Sequence, residues 1–267
     1  MSNVKRKLSA TAISAFLESP KAYYWHYIAR LQPISQSVST YDHDKLCGIL
    51  WAEWVDRFYK KVPEAENTKR LLADWHDQTD GWVPENFKRR LTSALESWSS
   101  LYPQKFSPED GCRNGSEKYV ENDRFVGYLD GLSHDGVVHE VKSTSRAKSV
   151  SEQLWVVQNS IQVKLYCVLA RATGICIEFA YKDAPIDIFR APVIGVTPEQ
   201  LKCWEQELNA LADSIYALGD DPCNYPCHPN GCIIVTKNFT GQCSYQALCA
   251  KLEGAEVGYK EKEHRKR

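Results

Sequence analysis

The chain has 267 residues, enough to bury a substantial core as one large domain or two small ones. Its formal net charge of −1 excludes a polycation that coats nucleic acid, so any hold on a phosphate backbone must come from local patches. No apolar run approaches the length of a bilayer span, and Met1 to Lys7 is polar and basic with no apolar region after it. The expectation is therefore a soluble, cytoplasmic protein with no signal peptide and no membrane partner.

The first third reads as helical. Ser9 caps a first helix whose inner face carries Ile13, Phe16 and Leu17. Ser19-Pro20 repeats the signal of a cap followed by proline at the first helical position, and Tyr23, Tyr24, Tyr27, Ile28 and Leu31 continue at helical spacing. A serine-rich break at Pro33–Thr40 precedes two more helical patterns, from about Lys45 to Lys60 and from about Glu85 to Tyr102.

In the middle the period shortens. Glu117–Val120, Arg124–Leu132 and Val137–Thr144 are β-branched and aromatic, with Asn122-Asp123 and His134-Asp135-Gly136 between them, which predicts a three-stranded antiparallel meander. A single helix is expected from Ser151 to Thr173, stopped by Gly174. Strands follow at Cys176–Tyr181 and Ile186–Ile194, and Thr197-Pro198-Glu199-Gln200 opens a last helix with a capping box, running to Gly219.

Ten cysteines are unevenly placed. Cys47, Cys167, Cys176 and Cys203 lie in apolar-periodic stretches and read as small core residues, whereas Cys223, Cys227, Cys232, Cys243 and Cys249 crowd into one C-terminal segment. Without a secretory signal, a metal or cluster site fits that crowd better than disulfides. Basic clusters stand at Lys5-Arg6-Lys7, Lys88-Arg89-Arg90, Arg146 with Lys148, and in the tail Lys260–Arg267; each also reads as a solvated face. Trp25, Trp51, Trp54 and Trp155 suit base stacking, but most of them fall on apolar helical faces and are expected in the core.

The chemistry concentrates in two predicted strands. Val126-Gly-Tyr-Leu-Asp-Gly-Leu132 puts Asp130 near a strand end, and Val138-His-Glu-Val-Lys-Ser143 puts Glu140 and Lys142 two residues apart, on one face of the next strand. A hairpin can bring the Asp130 and Glu140 carboxylates together, and two such acids repel unless a cation or proton intervenes. Hard oxygen donors of this kind suit Mg²⁺ or Mn²⁺, and an adjacent lysine can orient a metal-bound water and stabilise charge on a phosphorane as its ammonium, or deprotonate that water as its neutral amine. The plain alternative is an exposed Glu140–Lys142 ion pair on an ordinary hairpin. Downstream, Gln162 and Tyr166 stand four apart on one helical face, where an amide and a phenol can support the same site.

In order, Gly127-Tyr-Leu-Asp130, Glu140-Val-Lys142 and Gln162-x-x-x-Tyr166 resemble the RecB-like branch of the PD-(D/E)xK nuclease superfamily, which includes exonucleases of phages and of CRISPR adaptation. Ser14-Ala-Phe-Leu-Glu-Ser-Pro20 with Tyr23-Tyr24 is similar to the N-terminal signature of that branch, so the resemblance spans Leu8 to Cys249. It implies an α/β fold with a restriction-endonuclease-like core: an antiparallel meander, a helix and further strands in a mixed central sheet. It also implies a helical region at 1–110 packed on a core at 111–219, then a Cys-rich segment at 220–252 and a charged, flexible tail at 253–267.

By the same resemblance Asp130, Glu140 and the backbone carbonyl of Val141 hold Mg²⁺ or Mn²⁺, Lys142 serves the attacking water, and Gln162 and Tyr166 support the site. Glu117 is an auxiliary acid or a surface residue. The implied activity is hydrolysis of DNA, single- or double-stranded, from ends, in recombination, repair or phage DNA processing, with a recombination or replication protein as partner. Two positions depart from the pattern. Relatives carry a histidine where Ala52 stands after Gly48, leaving Glu53 or a water to substitute. Relatives that bind a [4Fe–4S] cluster carry a cysteine before the N-terminal proline, where this chain has Ser19; Cys227, Cys232, Cys243 and Cys249, with Cys223 as substitute, are then candidates for a cluster, for zinc, or for free thiols. These departures keep open a non-catalytic DNA-binding or adaptor protein on the nuclease scaffold.

Overall fold

The computed structural model describes residues 6–33, 40–79, 83–106, 118–145, 149–227, 233–236, 239–242, 245 and 259–261. In chain order the first elements are α1 (Ala10–Glu18), α2 (Pro20–Tyr23) with a π-helical turn over Tyr24–Ile28, and β1 (Leu31–Pro33). Three long helices follow: α3 (Thr40–Tyr59), α4 (Glu64–Thr79) and α5 (Glu85–Lys105). Next come β2 (Lys118–Glu121), β3 (Val126–Leu129), β4 (Gly131–Leu132), β5 (Val137–Thr144), α6 (Val150–Gln158), α7 (Ile161–Ala170), β6 (Gly174–Tyr181), β7 (Asp187–Arg190) and β8 (Ile194–Gly195). The last are α8 (Pro198–Ala217), β9 (Ile233–Thr236), β10 (Phe239–Gln242) and β11 (Tyr259–Glu261).

Compactness groups these into two units by proximity rather than linear order: 38–122 with 126–205, and 1–37 with 123–125 and 206–267. The first is a mixed α/β unit built on a five-stranded sheet in the order β4-β5-β6-β7, with β8 also on β6. β5 and β6 run parallel over their full length, Val137 beside Gly174 through Thr144 beside Tyr181, while β4, β7 and β8 join antiparallel. Parallel neighbours need a crossover, and α6 and α7 supply it.

Alternation along β5 and β6 feeds two cores. One face turns Val141 and Ala180 toward α3, α4 and α5, where Trp51, Trp54, Trp75, Trp98 and Tyr102 are buried; Trp51 and Trp54 stack with centroids 5.0 Å apart. The other turns Val138, Ile175, Ile177 and Phe179 toward Val163, Tyr166 and Cys167 of α7. Trp54 and Trp51 are thus core residues as expected. Trp155 is not: Leu154 and Val157 take the packed side of α6, and Trp155 is 65% exposed.

Local chemistry shifts several expected boundaries. The meander divides at Asp130: among the described residues β2 pairs with β3 alone, Tyr119 opposite Tyr128, while β4 pairs with β5. The long helix expected from Ser151 to Thr173 is two helices, because Ser149 with Glu152 forms a capping box for α6 and the Ser160 hydroxyl accepts from Val163 N–H to open α7. Arg171 in the left-handed region ends α7, and Gly174 begins β6 rather than stopping a helix. The Thr197–Gln200 capping box of α8 forms as read, while α4 had no counterpart in the sequence reading.

In the second unit, Ser9 and Ser19 cap α1 and α2, the latter accepting from Ala22 N–H at 3.3 Å with Pro20 in the first position. β1 pairs with β11, and β9 with β10. Tyr245 links His26, 2.8 Å from its Nδ1, to the Leu31 carbonyl at 2.9 Å, and Tyr225 stacks on Tyr23 with centroids 6.2 Å apart. Among the described residues, no helix is long and apolar enough to cross a membrane.

Candidate active site

β5 positions the site. Glu140 and Lys142 project from the face that packs on α7, and Asp130 sits in the break between β3 and β4, where the β4–β5 ladder ends at Gly131 opposite His139. Past that point the backbone N–H of Val141 donates not to a strand but to Asp130 Oδ2, at 2.8 Å. This bond ties the Asp130 carboxylate to the strand segment carrying the other two groups.

Glu140 is fully buried, and its carboxylate forms an ion pair with Lys142 Nζ. A buried carboxylate without a cation is costly, so the local composition demands positive charge at this point. Burial pulls the Lys142 pKa down, but the Glu140 and Asp130 carboxylates outweigh it and hold the ammonium above its ordinary value. Glu140 thus meets the amine directly, and Asp130 is tied to Val141, the residue between Glu140 and Lys142. Lys142 Nζ also donates to Gln162 Oε1 at 3.0 Å, and Gln162 Nε2 donates to the Tyr166 hydroxyl at 3.4 Å. Burial, then the field of Glu140, raises the Tyr166 pKa, so the phenol stays neutral. Burial and Glu140 likewise push the Cys167 thiol up to about 12.

Two glycines allow close approaches around β5, Gly127 on the face of Glu140 and Lys142 and Gly48 on the other. A Cβ on Gly127 of β3 would lie 2.7 Å from Tyr166 Cε1, and one on Gly48 of α3 would lie 2.8 Å from Ser143 Oγ, next to Lys142. One turn along α3 from Gly48, Ala52 is half-buried and carries no donor. Glu53, the proposed substitute, is 49% exposed and faces Arg57 along the helix at 3.8 Å. Asp130, Glu140, Lys142, Gln162 and Tyr166 are thus brought together, and Glu53 is turned to another partner. Glu117 lies outside the described residues, as do Cys232, Cys243 and Cys249. Cys223 and Cys227 are exposed free thiols, and Ser19 is buried as a helix cap.

The donor set suits a hard divalent cation: two carboxylates, one of them wholly buried, and the neighbouring Val141 carbonyl, few enough to leave room for waters and a phosphate oxygen. No group of three or more acid, histidine or cysteine side chains gathers among the described residues, so such an ion would complete its shell with main chain and solvent.

Sequence reasoning missed a second buried group, on the opposite face of the sheet. Glu178 of β6, register partner of Val141, accepts from Tyr102 hydroxyl at 2.7 Å and from Arg190 Nε at 3.1 Å, and His139 Nδ1 lies 3.9 Å away. Burial works against the Arg190 charge, but Glu178 with Tyr59 and Tyr102 more than offsets it. Its signal was a lone acid in the apolar run Gly174-Ile-Cys-Ile-Glu-Phe-Ala-Tyr181.

The family model of the PD-(D/E)XK nuclease superfamily matches residues 7–250. The chain belongs to that superfamily. A crystal structure from Eubacterium rectale, of a protein provisionally named an exonuclease, superimposes with a TM-score of 0.50 at 12% identity, over 94% of this chain and 90% of that one. That likeness is one of fold. No curated protein matches at a significant level. Nucleases of the superfamily generally use divalent cations such as Mg²⁺ or Mn²⁺, and the carboxylate pair just described is the kind of donor set they require.

Proposed function

We propose that this member of the PD-(D/E)XK superfamily hydrolyses DNA phosphodiester bonds at Asp130, Glu140 and Lys142, with a divalent cation. The observation that carries the reading is the pairing of the buried Glu140 carboxylate with Lys142, while the Asp130 carboxylate is held on Val141 N–H, between those two residues in the strand. Asp130, Glu140 and the Val141 carbonyl would hold Mg²⁺ or Mn²⁺, which when bound supplies an acidified water and a Lewis acid for a phosphate oxygen. Lys142, protonated by its acidic surroundings, donates to the attacking water and to charge developing on phosphorus. Gln162 fixes the amine and Tyr166 fixes the amide. Rigid placement of this kind lowers the barrier through pre-paid orientation.

Attack from DNA ends is the mode we favour, supported by the RecB-like motif order and by the provisional name of the structural neighbour; it places the chain in recombination, repair or phage DNA processing. Ala52 at a position without a donor favours one competing reading, a DNA-binding adaptor that retains the scaffold. Incubation with linear and circular DNA, single- and double-stranded, in Mn²⁺ separates the two. Digestion of linear substrates that EDTA, Asp130→Ala and Lys142→Ala each abolish supports the nuclease. Binding without digestion supports the adaptor. A brown, oxidation-sensitive protein would assign the C-terminal cysteines to a cluster, and a colourless zinc-containing one to zinc.

A further inference from the structure

We propose that Arg90, flanked by the exposed Lys45 and Arg89, is a phosphate-binding ridge that holds the DNA backbone beside the C-terminal ends of β5 and β6. The proposal rests on the nuclease reading for its substrate and adds a contact that the Asp130–Glu140–Lys142 group does not supply.

The place is fixed by backbone geometry. Lys182, immediately after β6, donates its N–H to the Thr144 carbonyl at the end of β5, two residues beyond Lys142. Its ammonium reaches Asp44 of α3 at 2.9 Å, and it is almost buried, 11% exposed. Asp44 is thereby neutralised from the sheet side. Arg90 of α5 meets the same carboxylate only at 3.5 Å, and Asp183 only at 3.9 Å, while its side chain stays 42% exposed. Its guanidinium lies over the Phe87 ring, 5.4 Å from the centroid. One hydrogen bond to Asp44, a long contact to Asp183 and a ring hold the group in place, engaging few of the five N–H donors that make a guanidinium fork suited to phosphate.

Charge counting agrees. Lys45, Arg89, Arg90 and Lys182 carry four positive charges, and the partners Asp44 and Asp183 carry two negative ones, which leaves a surplus in a chain whose overall balance is −1. Lys45 and Arg89 are exposed, the first next in sequence to Asp44 and the second next to Arg90. Arg70 on α4 offers a contrast: it is 67% exposed and lies beside Asp74 of its own helix at 3.9 Å, outside this network.

The test is binding of a labelled linear duplex in Ca²⁺ across a salt series. Each phosphate contact adds about 0.9 to the slope of log affinity against log salt. Arg90→Ala should shrink the slope by about one contact, about 0.9, and weaken binding several-fold at 0.1 M salt. Lys45→Glu with Arg89→Glu should weaken it further, Arg90→Lys should keep the slope, and Arg70→Ala should match wild type. Unchanged slopes in Arg90→Ala and in the double reversal overturn the ridge, as does equal loss in Arg70→Ala. Failure of the nuclease reading looks different: the wild type binds DNA with this salt dependence but does not cut it in Mn²⁺. A wild type that cuts with ridge variants binding normally overturns the ridge alone, and one that binds no DNA overturns both.

Discussion

The Gly127 Cα and the Tyr166 ring are in direct contact: a Cβ added to the glycine would fall 2.7 Å from Cε1 and 3.0 Å from Cδ1 of the tyrosine. Tyr166 is buried at this contact and in turn anchors Gln162, which holds Lys142. The strand before Asp130 and the helix after β5 therefore set the amine's position jointly.

Gly127→Ala should displace that ring. Overpacking of this kind costs about 1–3 kcal/mol, read as a lower urea midpoint with unchanged slope. Cleavage should fall further than the loss of stability accounts for, and Gly127→Ala with Tyr166→Leu should recover stability without recovering the rate. A fully active, fully stable Gly127→Ala would remove Tyr166 from the positioning chain.

Asp130 has two separable duties. Its carboxylate accepts from Val141 N–H and, in the function proposed above, holds the cation. Asp130→Asn keeps an acceptor and should unfold within about 0.5 kcal/mol of wild type, whereas Asp130→Ala orphans the amide and should cost about 1–3 kcal/mol. Both should abolish digestion, and both should lose the rise in melting temperature that Mn²⁺ gives the wild type. Digestion by Asp130→Asn at the wild-type rate would sink the ligand assignment.

Lys142 carries a pH signature. Its pKa in the folded chain is raised by Glu140 and Asp130 against the pull of burial. A raised lysine pKa gives stability that is complete below the unfolded value, about 10.4, and is lost as pH rises through the folded value. The gap in unfolding free energy between wild type and Lys142→Met should therefore be full at pH 8 and narrow from about pH 10 upward. A gap that closes already between pH 6 and 8 would contradict the protonated amine.

The Glu178–Arg190 pair predicts a non-additive result. Glu178→Ala leaves a buried guanidinium without its carboxylate and should cost about 3–5 kcal/mol. Replacing both, Glu178→Met with Arg190→Met, should return most of that stability, because well-packed apolar pairs often match a buried ion pair. Chemical denaturation of the three proteins gives the coupling directly, and equal losses in single and double variants would argue against the pair.

Periodicity revealed β5, β6 and α8, whose alternating or helical apolar positions coincide with buried faces. It failed where two local signals competed. The apolar pattern runs unbroken through Gln158–Ile161, and only the polar Asn159-Ser160 pair betrays the new cap that separates α6 from α7. At Asp130 the strand pattern continues while the ladder changes partner, because the carboxylate replaces a strand in receiving Val141 N–H. The acids and the amine of the site were legible from spacing, since alternation fixes which side chains share a face. The Glu178 network was not, because its members are distant in sequence and meet only when β5, β6, β7 and α5 assemble. Arg90 was legible only as part of a basic run; its partners Asp44 and Asp183 come from two other places in the chain, and Lys182 pairs with the first of them.

The β4–β5 ladder stops at His139, so among the described residues the stretch from Glu140 to Thr144 pairs on one flank only. Unmated backbone of this sort is normally where one molecule sticks to another, and proteins blunt it with charge or cover. Here Asp130 takes the Val141 amide and Lys142 supplies the charge. The feature that guards the strand against self-association is the same one that holds a carboxylate against the segment carrying Glu140 and Lys142.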